Sequence, residues 1–372
     1  MRYFIIAGER SGDLHGSNLY RHLKALDPEA SATGIGGSFM AKAGVELLST
    51  YEELALIGIW EILDKLGNIR RALKNVKQKL KESPPDVLIL IDFAGFNLRV
   101  ARYAKQLGIK VFYYISPKIW AWNTGRARQI KACVDRMFVI LPFEKEFYRQ
   151  FDYEVDYVGN PVLDAISESK PNPDFLKDNQ LDSRPIIAIL PGSRSNEIEN
   201  TLFRMLSILP AFPEHQFVVA GVSNFSRKYY DQFRRNGAVN IVYEQTYDLL
   251  RHAEMAVVAS GTATLETALL RVPQVVVYRV NLLSYLLGKA LIKVKFISLV
   301  NLIAGKKVVT ELIQDEFIPA NLRQELMKLK MGEAGRVNIL KGYEEVAEKI
   351  GKPGASENTA KKMIAYLRGD KL

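Results

Sequence analysis

Short apolar runs alternate with longer amphipathic stretches along most of the chain. The runs are rich in valine, isoleucine and aromatic residues, which is typical of buried strands, and the stretches between them have helical spacing. Such alternation predicts a parallel sheet with helices on both faces. In the first half, strands are predicted at Arg2–Ala7, Ser31–Ile35, Val87–Ile91, Lys110–Ile115, Arg136–Ile140 and Val155–Val158.

The alternation lapses once and then restarts. Segment 167–184 is polar and contains two prolines, which predicts an interdomain linker. Further strands are predicted at Ile186–Leu190, Gln216–Ala220, Val239–Val242, Met255–Ala259 and Gln274–Tyr278. We therefore expect an α/β protein with two doubly wound, Rossmann-like domains, 1–166 and 185–318, that face each other across a cleft. A charged helical tail, 319–372, should pack back toward the first domain.

Composition narrows the function classes. The 372 residues carry 51 Lys and Arg against 41 Asp and Glu, and this net charge of +10 favours anionic partners. The single cysteine excludes an internal disulfide, and no apolar run is long enough to span a membrane. No signal peptide is predicted. The four histidines lack metal-ligand spacing, so we expect no metal site. No cofactor is expected.

The segment LPGSRSNEIE follows the first strand of the second half and begins a helix. Gly192 and Ser193 would present backbone N–H groups at the helix N-terminus, where phosphate oxygens bind. Arg194 adds a planar cation that suits two phosphate oxygens. The alternative is a capped turn with Arg194 in a surface ion pair.

The segment ASGTATLETALL repeats this arrangement after a later strand. Small residues and hydroxyl groups at its start would let a ligand approach closely, and Glu266 could accept hydrogen bonds from both hydroxyls of a ribose. The alternative is a capping box in which Glu266 serves the helix N-terminus. The candidate donor-binding residues here are Ser260, Gly261, Thr262, Ala263, Thr264 and Glu266.

Asp92 is the sharpest candidate of the first half. Val87–Ile91 is apolar throughout, so Asp92 comes at the carboxyl end of a buried strand, where open α/β sheets bind ligands. A carboxylate beside Phe93 and Phe96 can act as a general base. The alternative is that Asp92 caps the helix that begins near Gly95. The next strand leads into YISPKIWAW, whose aromatic residues suit sugar faces or acyl chains, or else buried loop packing.

Together these motifs resemble the lipid-A-disaccharide synthases, a family of bacterial glycosyltransferases of the GT-B type. The resemblance covers almost the whole chain. Its motifs, in order, are AGERSGDLHG, LALIGIWEIL, IDFAGFN, YISPKIWAW, LPFEKEFY, VGNPVLD, LPGSR, ASGTATLE and SLVNLIAGKKVVTELIQDE. The chain departs from the family at Arg10, where small residues are usual, and at Ala94 and Gly95, where Pro-Asp is common.

The resemblance implies an activity and a site. It implies an inverting, metal-independent transfer of diacylglucosamine from its UDP carrier to diacylglucosamine 1-phosphate, which forms the β(1→6) disaccharide. UDP would lie on the second domain, with Asn301 contacting the donor. The opening loop lacks the G-x-G-x-x-G spacing and would face the acceptor. Glu9 and Asp13 then join Asp92 as candidate catalytic or orienting carboxylates, and the glycines of the loop would let the lipid sugar approach.

The resemblance also implies peripheral association with the cytoplasmic face of the inner membrane, and the sequence offers a segment for it. Positions 54–63 are apolar nearly all round, and seven basic residues without an acid follow from Lys65 to Lys81. The basic stretch would bind anionic headgroups. The alternative is an ordinary core-facing helix. The residues predicted to enter the membrane interface are Leu56, Ile59, Trp60 and Leu63.

Two rival functions remain at this point. A UDP-sugar 2-epimerase of the same fold is supported by the stretch Gly159–Asp164, and a non-enzymatic basic protein that binds membranes or nucleic acid is supported by charge alone. The second rival has no use for two phosphate loops, so we expect no nucleic acid partner. A homodimer is the one oligomeric state that we consider.

Overall fold

A computed structural model describes most of the chain. The residues that it describes are 1–55, 62–233, 239–281, 285 and 294–370, and for 54, 55, 62–66 and 68 it describes only the backbone. The chain divides into two compact units, one of Met1–Asp164 with Lys352–Leu372 and the other of Ala165–Gly351. The segment 319–372, expected to be a single tail, is therefore divided between the two units.

The described part of the first unit forms a sheet of seven parallel strands in the order β3-β2-β1-β4-β5-β6-β7. The strands are β1 (Arg2–Ala7), β2 (Ser31–Gly36), β3 (Glu46–Thr50), β4 (Val87–Ile91), β5 (Lys110–Tyr114), β6 (Arg136–Val139) and β7 (Asp156–Tyr157). The helices are α1 (Arg10–Leu26), α2 (Ser38–Lys42), α3 (Tyr51–Ala55), α4 (Ile62–Glu82), α5 (Ala94–Gln106), α6 (Ile119–Trp122), α7 (Arg126–Cys133), α8 (Glu144–Arg149) and α9 (Pro161–Glu168), of which α9 runs on into the second unit.

Helices cover both faces of this sheet, which explains why its central strands are continuously apolar. In β4, Leu88 and Leu90 join a core cluster with α4 and α5, while Ile89 and Ile91 join the cluster on the opposite face. The last helix of the chain packs on that second face, where Met363 is fully buried. The two-residue period of a strand thus divides one apolar run between two cores.

The described part of the second unit repeats the design with six parallel strands in the order β10-β9-β8-β11-β12-β13. The strands are β8 (Ile186–Leu190), β9 (Gln216–Gly221), β10 (Val239–Tyr243), β11 (Ala253–Ala259), β12 (Gln274–Tyr278) and β13 (Thr310–Ile313). The helices are α10 (Phe175–Asp178), α11 (Ser195–Met205), α12 (Arg227–Asp231), α13 (Thr246–His252), α14 (Thr262–Leu269), α15 (Leu299–Ala304), α16 (Pro319–Met327) and α17 (Ala334–Ile350), with 3₁₀ turns at Leu206–Ala211 and Gln314–Glu316, and α18 (Ala355–Arg368) returns to the first unit.

The structure adds to the sequence-based expectations at the sheet edges and in the linker. Every predicted strand is present, but the edge strands β3 and β13 were not predicted, because each is only partly buried. Within segment 167–184, helix α10 inserts Phe175 into the core of the second unit, where its side chain is fully buried. This segment is therefore packed against the second sheet over part of its length.

Candidate functional site

Strand β4 ends in an unusual backbone conformation at Asp92. Asp92 and Phe93 have φ angles of +46° and +47°, although neither is glycine. Each such residue costs on the order of 1–3 kcal/mol, and such strain is concentrated at functional sites. Helix α5 follows with Phe93 as its N-cap residue, so the structure does not support the alternative in which Asp92 occupies the cap.

Two side chains hold this turn in place. The amide of Asn97 donates to the carbonyl oxygens of Asp92 and Ile91, at 2.8 and 3.2 Å, and the Tyr113 hydroxyl donates to the Asp92 carbonyl. Both side chains are fully buried, and burial raises the pKa of Tyr113 well above its ordinary value. The Asp92 carboxylate is thus presented by a rigid support at the carboxyl end of the sheet.

The opening loop lies beside this turn, but its glycines serve packing. A Cβ atom at Gly8 would overlap the ring of Phe93, and one at Gly16 would lie 2.8 Å from the Met40 sulfur. The expectation that these glycines let a lipid sugar approach is therefore wrong, because protein atoms fill the space. Glu9 is exposed at the start of α1, next to the Phe93 contact.

Asp13 is placed as a structural carboxylate. It is fully buried, and its oxygens accept hydrogen bonds from three backbone N–H groups at the start of α2: Oδ1 from Gly37 at 2.7 Å and Met40 at 3.0 Å, and Oδ2 from Phe39 at 3.0 Å. These bonds tie α1 to α2 and occupy both oxygens. The arrangement suits an orienting role and leaves Glu9 and Asp92 as the carboxylates nearer to solvent.

Sequence reasoning did not single out Glu144, which anchors the loop that follows β5. Its carboxylate accepts hydrogen bonds from the Trp120 indole at 3.1 Å and from the backbone of Leu141 at 2.9 Å. Burial raises its pKa to about 7. Nearby, the hydroxyls of Ser116 and Tyr148 lie 2.6 Å apart. The only sequence feature that could have indicated Glu144 is its place in the LPFEKEFY motif.

The two tryptophans of that loop have different surroundings. Trp120 is 7% exposed and packs edge-to-face on Phe143, with ring centroids 4.9 Å apart, whereas Trp122 is 43% exposed. The buried-packing interpretation of YISPKIWAW therefore holds for Trp120, whereas Trp122 faces solvent and its contact with a sugar face or an acyl chain stays a prediction.

The stretch Gly159–Asp164 attaches the last helix to the first unit. Asp164 accepts hydrogen bonds from the backbone of Gly354 at 2.6 Å, and from Ala355 and Ser356 at 3.2 Å each. Gly159 has a φ of +95° and packs against Ala355. A charged carboxylate at a helix N-terminus is stabilising. The stretch is thus explained by packing and capping rather than by epimerase chemistry.

In the second unit, an anionic side chain already occupies the LPGSR loop. Glu197 Oε2 accepts hydrogen bonds from the backbone N–H groups of Ser193 at 3.0 Å and Arg194 at 3.4 Å, and Oε1 lies 3.4 Å from the Arg194 guanidinium. Gly192 has a φ of +102°, and a Cβ atom there would overlap Glu197. The capped turn is therefore what the structure shows, with a carboxylate where phosphate was expected.

The ASGTATLE loop has an internally bonded part and an open part. The Ser260 hydroxyl donates to the Ile297 carbonyl at 2.9 Å, and the buried Thr264 hydroxyl donates to the Gly261 carbonyl at 2.8 Å. A Cβ atom at Gly261 would meet nothing within 4 Å, and Thr262 is exposed. This loop and the LPGSR loop follow the paired strands β11 and β8, so they leave the same edge of the sheet.

Glu266 does not act as a capping residue. Its carboxylate accepts a hydrogen bond from the Tyr247 hydroxyl at 3.0 Å, and no side-chain cap is present at the start of α14. Burial raises the pKa of Glu266, while the hydrogen bond from Tyr247 opposes the rise. The side chain is therefore fixed inside the second unit beside the open part of the loop.

Asn301, expected to contact the donor, is fully buried and saturated by protein groups. Its amide donates to the Val309 carbonyl at 3.0 Å and to Glu311 at 2.9 Å, and its oxygen accepts from the backbone of Val308 at 2.7 Å and Val309 at 2.9 Å. An asparagine side chain has two donors and two acceptor sites, so no capacity remains for a ligand. Its role is to shape the chain before β13.

The comparison with protein families decides between the functional interpretations. A model of the lipid-A-disaccharide synthetase family matches residues 3–366. The chain belongs to this family. A lipid-A-disaccharide synthase of Myxococcus xanthus is 39% identical over 98% of this chain and 97% of its own length. One from Coxiella burnetii is 38% identical over 96% of both chains. Membership confirms the resemblance and favours a glycosyltransferase over the epimerase and the non-enzymatic protein.

Solved structures show the fold of this synthetase family member. A UDP-GlcNAc 2-epimerase from Neisseria meningitidis bound to UDP-GlcNAc has a TM-score of 0.66 at 14% identity, over 98% of this chain and 100% of its own. A calicheamicin glycosyltransferase has a TM-score of 0.63 at 15% identity, over 99% and 98%. At such identities the likeness concerns the fold alone, and it confirms the GT-B architecture with a helical C-terminal region.

The departures from the family pattern lie at open positions. Arg10 is exposed, and a Cβ atom at Gly95 would meet nothing within 4 Å. Ala94 and Gly95 are the first residues of α5, where Ala94 is half-buried and Gly95 is exposed.

Most of the predicted membrane segment lies outside the described residues. Leu56, Ile59 and Trp60 are not described, and of Leu63 only the backbone is. Across the parts of the chain that are described, no helix is long and apolar enough to cross a membrane. An open groove of about 480 Å³ on α4 is lined by basic side chains beside Tyr103. They are Arg70, Lys74, Lys77 and Lys81.

The face of α4 opposite the basic groove packs into the core of the first unit. Val76 and Leu80 are fully buried in the first unit, with Ile69 and Leu73 packed against the same cluster. The core-facing interpretation is therefore right for this half of the segment.

Among the described residues, no group of three or more His, Cys, Asp or Glu side chains could hold a metal ion.

Proposed function

We propose that this chain transfers a diacylglucosamine residue from UDP to diacylglucosamine 1-phosphate, which yields the β(1→6) disaccharide 1-phosphate and UDP. Family membership over residues 3–366 supports the reaction class. The observation that carries the chemistry is Asp92, which the buried Tyr113 and Asn97 hold at the carboxyl end of β4. No other described carboxylate of the candidate set combines this strained presentation with partial exposure.

The proposed mechanism is a single displacement. Asp92 accepts the proton of the acceptor 6-hydroxyl as that oxygen attacks the anomeric carbon. The bond between this carbon and the diphosphate oxygen breaks, and the configuration at the carbon inverts. UDP displaces the Glu197 carboxylate from the LPGSR loop, and Arg194 and the backbone N–H groups of Ser193 and Arg194 then stabilise the charge that develops on UDP, since donors aimed at developing charge lower the barrier. Glu266 accepts hydrogen bonds from the ribose hydroxyls.

Substitution of Asp92 tests the base. Asp92→Asn keeps the size of the side chain but removes its basicity, and loss of a general base typically lowers the rate about 10²- to 10⁴-fold. UDP affinity should be unchanged, because the proposed nucleotide loops belong to the other unit. Asp86→Asn, at the amino end of the same strand, is the matched control and should keep full turnover. Near-normal turnover of Asp92→Asn would transfer the role to Glu9.

Substitutions in the second unit test the donor site. Arg194→Ala and Glu266→Ala should each weaken UDP binding in calorimetric titration, because a hydrogen bond to a charged group contributes roughly 1.5–3 kcal/mol. Arg184→Ala, before the amino end of β8 and paired with Asp182, serves as control. If both variants bind UDP as the parent does, the nucleotide lies elsewhere.

A separate experiment tests the rival epimerase function. Incubation of the parent with the UDP-sugar alone should give no C2 epimer.

We also infer a peripheral location on the cytoplasmic face of the inner membrane. The basic groove on α4 supports it, because each basic residue near an anionic surface contributes about 1 kcal/mol. Changing Trp60 and Leu63 together to Ser should reduce sedimentation with phosphatidylglycerol-containing liposomes and leave UDP affinity intact. Met331→Ser, at a 71% exposed position of the second unit, is the control. Unfolding of the double variant, or unchanged sedimentation, would identify the segment as core.

A further inference from the structure

We propose that Lys118, Trp122 and Arg126 form the subsite for the phosphate-bearing sugar of the acceptor, with the two cations on a phosphate monoester and the indole against the sugar ring. This inference rests on the proposed function and deepens it, because it names the part of the first unit that distinguishes a phosphorylated acceptor. The observations that carry it are the position of the loop after β5, its charge and its support.

The loop begins beside the proposed base. Strands β4 and β5 are paired in register, with Ile91 opposite Tyr114, so the residues that follow them leave the sheet next to each other. Paired strands are about 4.8 Å apart. Ile115 has a φ of +66°, which is a strained conformation for a β-branched residue. Both strands therefore end in enforced turns at the same place on the sheet edge.

The exposed face of the loop is basic. Between Ser116 and Cys133 the sequence has four basic residues and no acid. Lys118 is exposed, and the Arg126 guanidinium lies 5.1 Å from the centroid of the half-exposed Trp122 ring. Within the described chain, no carboxylate forms an ion pair with Lys118 or Arg126. An arginine stacked on an indole keeps its planar donors directed outward, which suits phosphate oxygens.

The other side of the loop is rigid. Trp120 is buried on Phe143 and donates to Glu144, and the hydroxyl of Ser116 is held by Tyr148. These contacts fix the loop just before Trp122. A subsite whose side chains are already ordered loses less conformational entropy when the ligand binds. The buried Glu144 carboxylate thus helps to order the loop that carries Lys118 and Trp122.

The chemistry of the loop matches the acceptor better than the donor. A phosphate monoester presents two negative charges and three terminal oxygens, which one bidentate guanidinium and one ammonium can share. A sugar ring offers an apolar face to an exposed indole. The acceptor carries a phosphate monoester on a sugar, whereas the donor carries a diphosphate diester.

The test compares substitutions on either side of one helix. Arg126→Gln and Lys118→Gln should each raise the KM for the phosphorylated acceptor about 10- to 100-fold, with the KM for the donor unchanged. Arg128→Gln is the matched control, since this exposed residue lies two positions further along α7 and so on the other side of the helix. With an acceptor that lacks the 1-phosphate, Arg126→Gln should equal the parent.

A binding measurement separates this inference from the proposed reaction. Short-chain diacylglucosamine 1-phosphate can be titrated against the full chain and followed by tryptophan emission, which requires no turnover. Weaker binding to Arg126→Gln and Lys118→Gln but not to Arg128→Gln supports the subsite, even if no disaccharide is formed. Equal binding to all three variants and the parent overturns it. An equal loss with phosphorylated and unphosphorylated acceptors also overturns it.

Discussion

Replacement of Glu144 by glutamine removes a buried ionisable group and keeps the size of the side chain. The parent carboxyl group is 1% exposed and accepts hydrogen bonds from Trp120 and Leu141. The amide of the substituted side chain would retain an acceptor oxygen for one of these donors. The substitution thus removes the charge and one hydrogen bond, and only the loss of the charge makes its effect on the first unit depend on pH.

The size of the effect follows from the pKa. Burial raises the pKa of Glu144 from 4.5 to about 7. Below pH 4.5 the Glu144 carboxyl group is protonated in both the folded and the unfolded state, so the free energy of unfolding does not change with pH through this group there. As the pH rises from 4.5 to 7 the unfolded state loses the proton first, and the free energy of unfolding of the parent falls. At about 1.4 kcal/mol per pKa unit, the fall between pH 5 and 8 is about 2–3 kcal/mol.

The neighbouring tyrosines do not titrate in this window. Burial raises the pKa of Tyr157 to about 12 and that of Tyr148 further. A difference in pH dependence between the parent and Glu144→Gln is therefore attributable to residue 144. Glutamine does not titrate, so the free energy of unfolding of the variant should gain about 2–3 kcal/mol relative to the parent between pH 5 and 8.

Urea denaturation followed by tryptophan emission suits the measurement. The three tryptophans are at positions 60, 120 and 122, within the residue range of the first unit, so their emission follows the unfolding of that unit. Glu146→Gln is the matched control, because Glu146 lies on the same helix, is 65% exposed and pairs with Arg149 at the surface. Parallel pH profiles for the parent and Glu144→Gln would refute the reasoning, since the carboxyl group would then titrate alike in both states.

Two further predictions concern carboxylates that hold backbone N–H groups. Glu197→Gln should tighten UDP binding about five-fold in calorimetry, because it removes from the LPGSR loop a negative charge that competes with UDP. Near the surface such a charge contributes about 1 kcal/mol. Weaker UDP binding would instead show that the carboxylate is needed to shape the loop. Asp164→Ala should lower the free energy of unfolding of the first unit by roughly 1.5–3 kcal/mol and speed hydrogen exchange in α18, whereas Glu357→Gln, at an exposed pair in the same helix, should do neither.

The sequence by itself determined most of the two sheets and the edge of each sheet at which the proposed site residues lie. Apolar runs such as Val87–Ile91 are buried on both faces of the sheet. Burial on both faces requires consecutive apolar residues, and these are visible in the sequence. Since parallel strands end at one edge, the positions of Asp92 and of the loops after β8 and β11 followed from strand boundaries alone. The edge strand β13 escaped prediction because partial burial leaves a weaker pattern.

Only the tertiary structure decided what each polar side chain does. Asp13 and Asn301 stand in motifs that suggested ligand contacts, yet backbone groups from other segments occupy their hydrogen-bonding atoms. Glu144 and Glu197 were inconspicuous in the sequence, yet each holds a loop. Hydrophobic periodicity is a local property of the chain, whereas the partner of a carboxylate is whichever N–H group the fold brings within about 3 Å. That distance is set by packing between segments remote in sequence, as between Asp164 and Gly354.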